Sequence, residues 1–236
     1  MLETRVGTAR VWCTGRAQGN LGDHVGDDPR IVARNRAEVR ADVGIEDIAR
    51  WTWLRQVHGA GVYVLTGGSD TGGSATGESA PPEADAAVTA VPGRALAVVT
   101  ADCAPLVVAS DGAVGVVHAG HRGLAAGVIQ AAIASVRGRG HGPVRAFLGP
   151  CIRPASYEFG ADDLARFVVQ FGPESEGRTR DGRPALDIPA AIRIVLAREG
   201  VVDFEDSSVC TADSDDYFSY RRAHDTGRQA TIAVLQ

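Results

Sequence analysis

Four short apolar runs in the middle of the sequence restrict what this chain can fold into. They are ADAAVTA, ALAVVTA, PLVVAS and AVGVVHA, all rich in valine and alanine and separated by turn residues. Nearly continuous apolar runs of this length are typical of strands that are buried on both faces. The sequence therefore predicts a buried sheet with further elements packed around it.

Helical signals flank these runs. Asp28 suits an N-cap and Pro29 a first helical turn, which predicts a helix over about 30–43. Other helices are expected from Gly123 onward, at 162–171 and at 188–198, and other strands at 9–14, 62–66, 144–149 and in QATIAVL. We predict a single α/β domain over 1–236, with mixed β-sheets flanked by helices. Segment 67–82 has no core-forming residues and is expected to be a mobile loop.

Composition excludes several classes of function. All 24 Lys+Arg residues are arginine, so mechanisms that need a phosphate-binding or Schiff-base lysine are excluded. A net charge of -5 without a basic stripe argues against nucleic acid or an anionic membrane as partner. No apolar run approaches the roughly 18 residues of a membrane span, and no signal-peptide pattern opens the chain. Four widely spaced cysteines are expected to be reduced thiols in the cytoplasm.

Reactive side chains mark the ends of three predicted strands. His58 lies in RQVHG, Cys103 in TADCAP and His118 in VVHAGHRG, and polar residues at strand ends often gather at one sheet edge. Two imidazoles and a thiolate would form a three-ligand metal site with an open position, where Zn²⁺ lowers the pKa of bound water toward about 7. The same residues suit Cys–His nucleophilic catalysis oriented by Asp102. Hydrogen-bonded histidines and a buried cysteine without any site are the third alternative.

Arginines offer candidates for an anion site. Arg122 lies in the first turn of a helix opened by GHRGLAAG, where N–H groups and a guanidinium can bind phosphate or carboxylate. Its alternative role is that of an ordinary surface arginine. Near the C-terminus, FSYRRAHDTGRQ holds Arg221, Arg222 and Arg228 after the acidic run DSDD. Adjacent arginines point in different directions, so we expect one of the pair to reach a site and the other to bind aspartates.

A series of longer segments carries a family resemblance over nearly the whole chain. In order they are NLGDHVGDDP, QVHG, ADAAVT, TADCAP, HAGHRGLAAGV, LGPCI, YEFG, CTADSDDYFSYRR and TGRQA. Together they resemble the bacterial laccase-domain family, also called multicopper polyphenol oxidoreductases or YfiH-like proteins. Its members are described as purine nucleoside phosphorylases with adenosine deaminase activity. The resemblance implies a mixed α/β fold, zinc held by the catalytic residues His58, Cys103 and His118, and Arg222 as a catalytic and substrate-binding residue.

Three positions depart from the family pattern. His121 stands where the family usually has tryptophan, and it either adds an imidazole near the metal or replaces a packing ring. Arg153 replaces a glycine. Ala223 and His224 follow the arginine pair in place of Asp-Gly, which leaves Asp225 as the residue that could orient Arg222.

The copper in the family's older name is tested by the histidine count. The chain has six histidines, no His-x-His pair and a single methionine, Met1. These counts argue against a multicopper centre, although one copper bound in vitro is possible.

The expected function is zinc-dependent phosphorolysis of adenosine, inosine, guanosine and methylthioadenosine. Phosphate would attack C1′ of the ribose while Arg222, with Arg122, neutralises its charge, and Asp102 or Glu158 would move protons in adenosine deamination. The alternatives are a cysteine amidohydrolase that edits cell-wall precursors, a copper-dependent polyphenol oxidoreductase, and a binding protein without catalysis. The small-molecule partners are thus nucleoside and phosphate, and the sequence does not indicate an oligomeric state.

Overall fold

The computed structural model describes residues 1–67 and 80–236, which contain thirteen strands and six helices. The strands are β1 (Leu2–Val6), β2 (Ala9–Cys13), β3 (Trp51–Trp53), β4 (Val62–Leu65), β5 (Ala86–Thr89), β6 (Ala95–Thr100), β7 (Ala104–Asp111), β8 (Ala113–Ala119), β9 (His141–Leu148), β10 (Glu176–Arg178), β11 (Pro184–Leu186), β12 (Asp203–Asp206) and β13 (Gln229–Leu235). The helices are α1 (Pro29–Val43), α2 (His121–Ala126), α3 (Val128–Arg137), α4 (Ala161–Phe171), α5 (Ile188–Arg198) and α6 (Tyr220–Ala223). Most of the predicted loop at 67–82 lies outside the described residues.

Two mixed sheets form the centre of the fold. One has six strands in the order β12-β9-β7-β8-β5-β4, and the other has five in the order β1-β2-β13-β6-β3. The pairs β12/β9, β4/β5 and β3/β6 are parallel, whereas the remaining neighbours in these sheets are antiparallel. A small antiparallel ribbon of β10 and β11 lies beside them. The predicted α/β fold with mixed sheets and flanking helices is confirmed, while the domain extent of 1–236 stays a prediction.

The sheets pack face to face, and helices cover their outer faces. Val107 of β7 packs with Phe147 in the core between the two sheets. The residues on either side of Val107, Leu106 and Val108, point to the other face and pack in the core under α3, α4 and α5. The far face of the five-stranded sheet packs Trp12 against α1. The apolar runs are therefore buried on both faces, as their composition predicts.

Short signals in the sequence set the ends of the helices. The Asp28 carboxylate accepts the N–H of Arg30 at 2.8 Å and begins α1, and Asp187 begins α5 in the same way. The helical spacing from Gly123 onward belongs to two helices, because Gly127 adopts φ +90° and separates α2 from α3. Within 1–67 and 80–236, none of the helices combines the length and apolarity that crossing a bilayer requires.

Candidate active site

His58, Cys103 and His118 come together at one edge of the six-stranded sheet. Strand β7 begins directly after Cys103 and pairs with β8 so that Pro105 lies opposite His118. His58 approaches from the loop that precedes β4. The donor atoms of the three side chains lie within 4.8 Å of one another, and Cys103 Sγ is 3.9 Å from His58 Nε2. The structure thus brings together the three residues that the sequence singled out.

The backbone around this cluster is tightly constrained. His58 and Asp102 have φ values of +59° and +88°, a region that residues other than glycine rarely adopt. At Gly120 a Cβ atom would lie 3.0 Å from His58 Cδ2 and 3.1 Å from Cys103 Sγ. A side chain at this position would therefore push two members of the cluster aside by a few tenths of an ångström.

Asp85 holds both histidines in place. Its buried carboxylate accepts the backbone N–H groups of His58 at 2.9 Å, Gly59 at 2.7 Å and Val57 at 3.2 Å. It also lies 2.8 Å from Nδ1 of His118. Since an ionised carboxylate only accepts hydrogen bonds, Nδ1 of His118 carries the proton and donates it. Nε2 of a neutral His118 is then the ring nitrogen that could bind a metal.

Electrostatics within the cluster favour a thiolate. Burial raises the pKa of Cys103, but the charge of His118 and hydrogen bonds with His118 and His58 outweigh burial and lower the pKa from 9.0 to about 6. Burial lowers the pKa of His118, but the charge of Cys103 and the hydrogen bond with Asp85 outweigh it and raise the pKa to about 9. Without a metal, the pair is therefore a thiolate and an imidazolium near neutral pH.

The pKa of Asp85 responds to the same contacts. Burial raises it, whereas the hydrogen bonds from His118 and from the backbone of Gly59 and Val57 lower it and prevail. The Asp85 carboxyl is accordingly ionised at neutral pH.

This donor set fits one divalent metal. Catalytic zinc sites commonly use three nitrogen or sulfur ligands and keep a fourth position open. Bonds of about 2.0–2.3 Å at tetrahedral angles put ligand atoms roughly 3.3–3.8 Å apart, close to the 3.9 Å between Cys103 Sγ and His58 Nε2. Asp85 supplies the carboxylate that typically orients a metal-bound histidine. In the part of the chain that the structure describes, this is the one cluster of metal-binding type.

A cleft of about 280 Å³ opens in front of the cluster. His58 and Cys103 lie on its wall, while the buried side chain of His118 lies behind them. The residues that line the cleft are His58, Ala101, Asp102, Cys103, His121, Ile152, Tyr157, Ile188, Tyr220, Arg221 and Arg228. We refer to it as the first cavity.

The arginines of the first cavity are Arg221 and Arg228. The Arg221 guanidinium lies 4.8 Å above the ring of Tyr157 and donates to the carbonyl of Glu158 at 2.9 Å. Arg228 Nη1 donates to the carbonyl groups of residues 225–227, and these hydrogen bonds hold one end of its guanidinium in place. Neither guanidinium has a carboxylate partner among the described residues, so both can contribute positive charge to the cleft.

The structure places Arg222 and Arg122 elsewhere. Arg222 donates to Ser214 O at 3.0 Å and to Asp215 Oδ1 at 2.9 Å, and it is not among the residues lining the first cavity. Of the arginine pair, Arg221 lines the first cavity and Arg222 bonds to Asp215, while the role that the resemblance implies for Arg222 stays a prediction. Asp225 accepts from Arg16 and from the N–H of Ser219, not from Arg222. Arg122 is exposed beside a neighbouring cavity.

Asp102 links the cysteine turn to the segment that carries Arg221. Its carboxylate accepts the Thr211 hydroxyl at 2.7 Å and the backbone N–H of Arg221 at 2.7 Å. Its carbonyl accepts the N–H of Ile152 at 2.9 Å. Asp102 therefore positions α6 against the cleft, and the sequence alone gave no sign of this contact.

The other singled-out residues take supporting positions. His121 stacks edge to face on Phe159 with ring centroids 5.4 Å apart and lies outside the metal-type cluster, which favours the packing ring over a fourth ligand. Arg153 forms an ion pair with Asp206. Glu158 pairs with Arg183 at 2.9 Å on the surface and does not line the first cavity.

Fold and site together define a mixed α/β protein whose described residues place a His–Cys–His centre at the wall of a cleft. Residues 4–236 match the family model described as multi-copper polyphenol oxidoreductase laccase. The chain belongs to this family, so the resemblance carried by its motifs is confirmed.

Relatives and solved structures agree with this assignment. A protein of Streptomyces coelicolor named purine nucleoside phosphorylase is 41% identical over 220 residues, covering 92% of this chain and 87% of its own. A solved Neisseria meningitidis protein superimposes with a TM-score of 0.83 at 33% identity, over 100% of this chain and 98% of that one. The YfiH protein of Bacillus licheniformis gives a TM-score of 0.85 at 25% identity, over 98% and 94%. The names of such relatives support the view that this chain is an enzyme.

Proposed function

We propose that the protein is a zinc-dependent purine nucleoside phosphorylase that acts in the first cavity. The observation that carries the proposal is the lining of that cleft, which combines His58 and Cys103 of the cluster with Arg221 and Arg228. A relative that is 41% identical bears the name of this activity. Adenosine, inosine, guanosine and methylthioadenosine are the proposed substrates.

The reaction needs a bound anion beside a sugar. An oxygen of phosphate forms a bond to C1′ of the ribose, the bond from C1′ to the purine breaks, and its electron pair leaves with the base, which takes up a proton. The products are ribose 1-phosphate and the free purine. Because phosphate carries negative charge and this chain has no lysine, guanidinium and N–H groups must bind it.

We assign that anion contact to Arg221 and Arg228. Both residues line the cleft, and a charge-assisted hydrogen bond is about twice as strong as a neutral one. A direct role for Arg222 would require its ion pair with Asp215 to open. Arg122 lies outside the first cavity and would contact a different part of the substrate.

His58, Cys103 and His118 are proposed to hold the metal. When bound, a divalent ion supplies Lewis acidity and a fixed position for a substrate oxygen. The chain contributes the geometry, because Asp85 fixes the backbone of His58 and the proton on Nδ1 of His118. Copper would fit the same His₂Cys donor set, so metal content is a separate measurement.

Adenosine deamination is a second, slower reaction of this proposal. It requires a proton carrier near C6 of the purine, and Asp102 is the carboxylate that lines the cleft. Both of its oxygens already accept hydrogen bonds, from Thr211 and from Arg221. Proton transfer by Asp102 would disturb those contacts, so we expect inosine to form more slowly than free adenine.

The proposal is tested with purified protein, adenosine and inorganic phosphate. Adenine and ribose 1-phosphate should appear in equal amounts, and elemental analysis should find one zinc per chain. The Cys103→Ala variant should lose both the metal and the activity, whereas Cys210→Ser, at a half-buried cysteine outside the cluster, should retain both. Absence of both products from wild-type protein that contains metal would refute the function.

The lowered pKa of Cys103 favours one alternative, a cysteine amidohydrolase. Its thiolate, beside His58, would attack an amide carbon, and a protonated histidine would release the amine. Such activity would survive removal of the metal by a chelator and be lost on alkylation of Cys103. The phosphorylase should be lost in both treatments. A cytoplasmic location, supported by four free cysteines, is part of either proposal.

A further inference from the structure

A second cavity lies beside the first one, between α2 and α4. It has a volume of about 440 Å³ and is lined by His121, Arg122, Ala125, Phe159, Asp163, Arg166, Phe167 and Gln170. Two phenylalanine rings, 5.7 Å apart and nearly perpendicular, form its apolar wall. No residue of the metal-type cluster lines it, so it is a separate compartment.

His121 is the residue that lines both cavities. Its ring lies against Phe159 on one side, and its Nδ1 is 3.4 Å from the Tyr157 hydroxyl, which faces the first cavity. The two compartments therefore meet at a single half-buried imidazole.

The volumes favour a shared ligand. Small-molecule pockets usually measure about 300–1,000 Å³. The first cavity, at about 280 Å³, is small for a nucleoside together with phosphate. With the second cavity, at about 440 Å³, the space falls within that range.

We propose that the second cavity binds the planar aromatic base of the substrate, and that His121 marks the point where base and sugar meet. This assignment rests on the proposed function, in which the base is a purine and the sugar and phosphate occupy the first cavity. Phe159 offers an aromatic ring for contact with the base. Asp163 and Arg122 offer an acceptor and donors for its polar edge, and the Arg122 guanidinium has no hydrogen bond or ion pair within 1–67 and 80–236.

The test fills the second cavity without touching the first. Ala125 lines it and is half-buried, so Ala125→Leu adds bulk inside the cavity, whereas Ala126→Leu adds the same bulk at the exposed neighbouring position. Hypoxanthine and ribose 1-phosphate serve as probes in calorimetric titrations of the metal-containing protein. We expect Ala125→Leu to weaken hypoxanthine binding at least tenfold and to leave ribose 1-phosphate binding unchanged. Ala126→Leu should change neither.

A second variant keeps the test independent of steric damage. Phe159→Leu retains an apolar side chain but removes the aromatic face, and loss of one base–aromatic stack should weaken hypoxanthine binding roughly 5- to 150-fold. His121→Trp should narrow the junction and raise KM for inosine more than it changes affinity for ribose 1-phosphate.

The outcomes separate this inference from the proposed function. If wild-type protein binds hypoxanthine and the variants weaken that binding, the base site stands even when no phosphorolysis is detected. If phosphorolysis occurs but Ala125→Leu and Phe159→Leu leave hypoxanthine affinity and KM for inosine unchanged, the base site is wrong and the function stands. The base site is also wrong if hypoxanthine does not bind to wild-type protein. It is wrong as well if Ala125→Leu weakens the affinities for hypoxanthine and ribose 1-phosphate equally.

Discussion

Replacing Asp85 by asparagine tests how the site is held together. The carboxylate is fully buried, and its two oxygens share four donors. Oδ1 accepts from His118 Nδ1 and from the N–H of His58, whereas Oδ2 accepts from the N–H groups of Val57 and Gly59. In Asp85→Asn the amide oxygen can replace Oδ1. The amide NH₂ then stands where Oδ2 was, and because it is itself a donor it cannot accept the N–H groups of Val57 and Gly59.

The expected loss of stability follows from those two bonds. Hydrogen bonds to a charged group contribute about 1.5–3 kcal/mol each, so the two lost bonds amount to about 3–6 kcal/mol. Folded domains are stable by only about 5–15 kcal/mol, so the loss is a large fraction of the total. Metal affinity should fall about 10- to 100-fold as well, since the carboxylate that orients a ligating histidine is lost.

Denaturant unfolding of the chelator-treated protein measures the stability change, and competition with a chromophoric chelator measures metal affinity. The matched control is Asp215→Asn, the same chemical change at a fully exposed carboxylate, which should stay within about 0.5 kcal/mol of wild type. If Asp85→Asn loses less than about 1 kcal/mol and keeps its metal affinity, then Asp85 does not organise the site.

Three further predictions address the thiolate, the arginine pair and the glycine beside the cluster. Iodoacetamide should alkylate Cys103 of metal-free protein with a midpoint near pH 6, because the folded pKa of about 6 lies below the usual 9.0 and the reactive thiolate persists down to that pH. His118→Ala should raise the midpoint, and a wild-type midpoint near the usual value would contradict the assignment. In steady-state kinetics, Arg221→Gln should raise KM for phosphate about tenfold or more, the effect of one lost charged hydrogen bond, while Arg222→Gln changes it little; the reverse order would return the role to Arg222. Gly120→Ala should weaken metal binding, since its Cβ would lie 3.0 Å from His58 Cδ2, and unchanged affinity in a chelator competition would show that the cluster can shift freely.

The sequence predicts those parts of the fold that carry their own local signal. The apolar runs became β5 to β8, and Asp28 begins α1 as its side chain allows. Strand β1 lies at the edge of its sheet beside β2 and has three consecutive polar residues, so its LETRV sequence has no alternating pattern that would reveal it. The very short β3, β10 and β11 likewise depend on partners that are distant in sequence.

The candidate site divides in the same way. The cluster residues could be found because each lies next to an apolar run: His58 precedes VYVLT, Cys103 follows ALAVVTA, and His118 lies at the end of AVGVVHA. Asp85 also carries a local signal, because a lone carboxylate inside the buried run ADAAVTA needs hydrogen-bond partners. The neighbouring residues could not show whether Arg221 or Arg222 lines the cleft, because this depends on the contact between the Arg221 backbone and Asp102, 119 positions away.

The position of β13 has a consequence for how the molecule is made. This strand lies inside the five-stranded sheet, between β2 and β6, and its residue Ala230 bonds to Thr14 across 216 positions. During synthesis, β2 must therefore wait for β13 to leave the ribosome, and contacts of such long sequence separation form slowly. Arg228 directly precedes this strand, so the lining of the cleft is completed by the same late step. A nascent chain that stops short of β13 would leave an open sheet edge and no finished site, a natural target for chaperones and proteases.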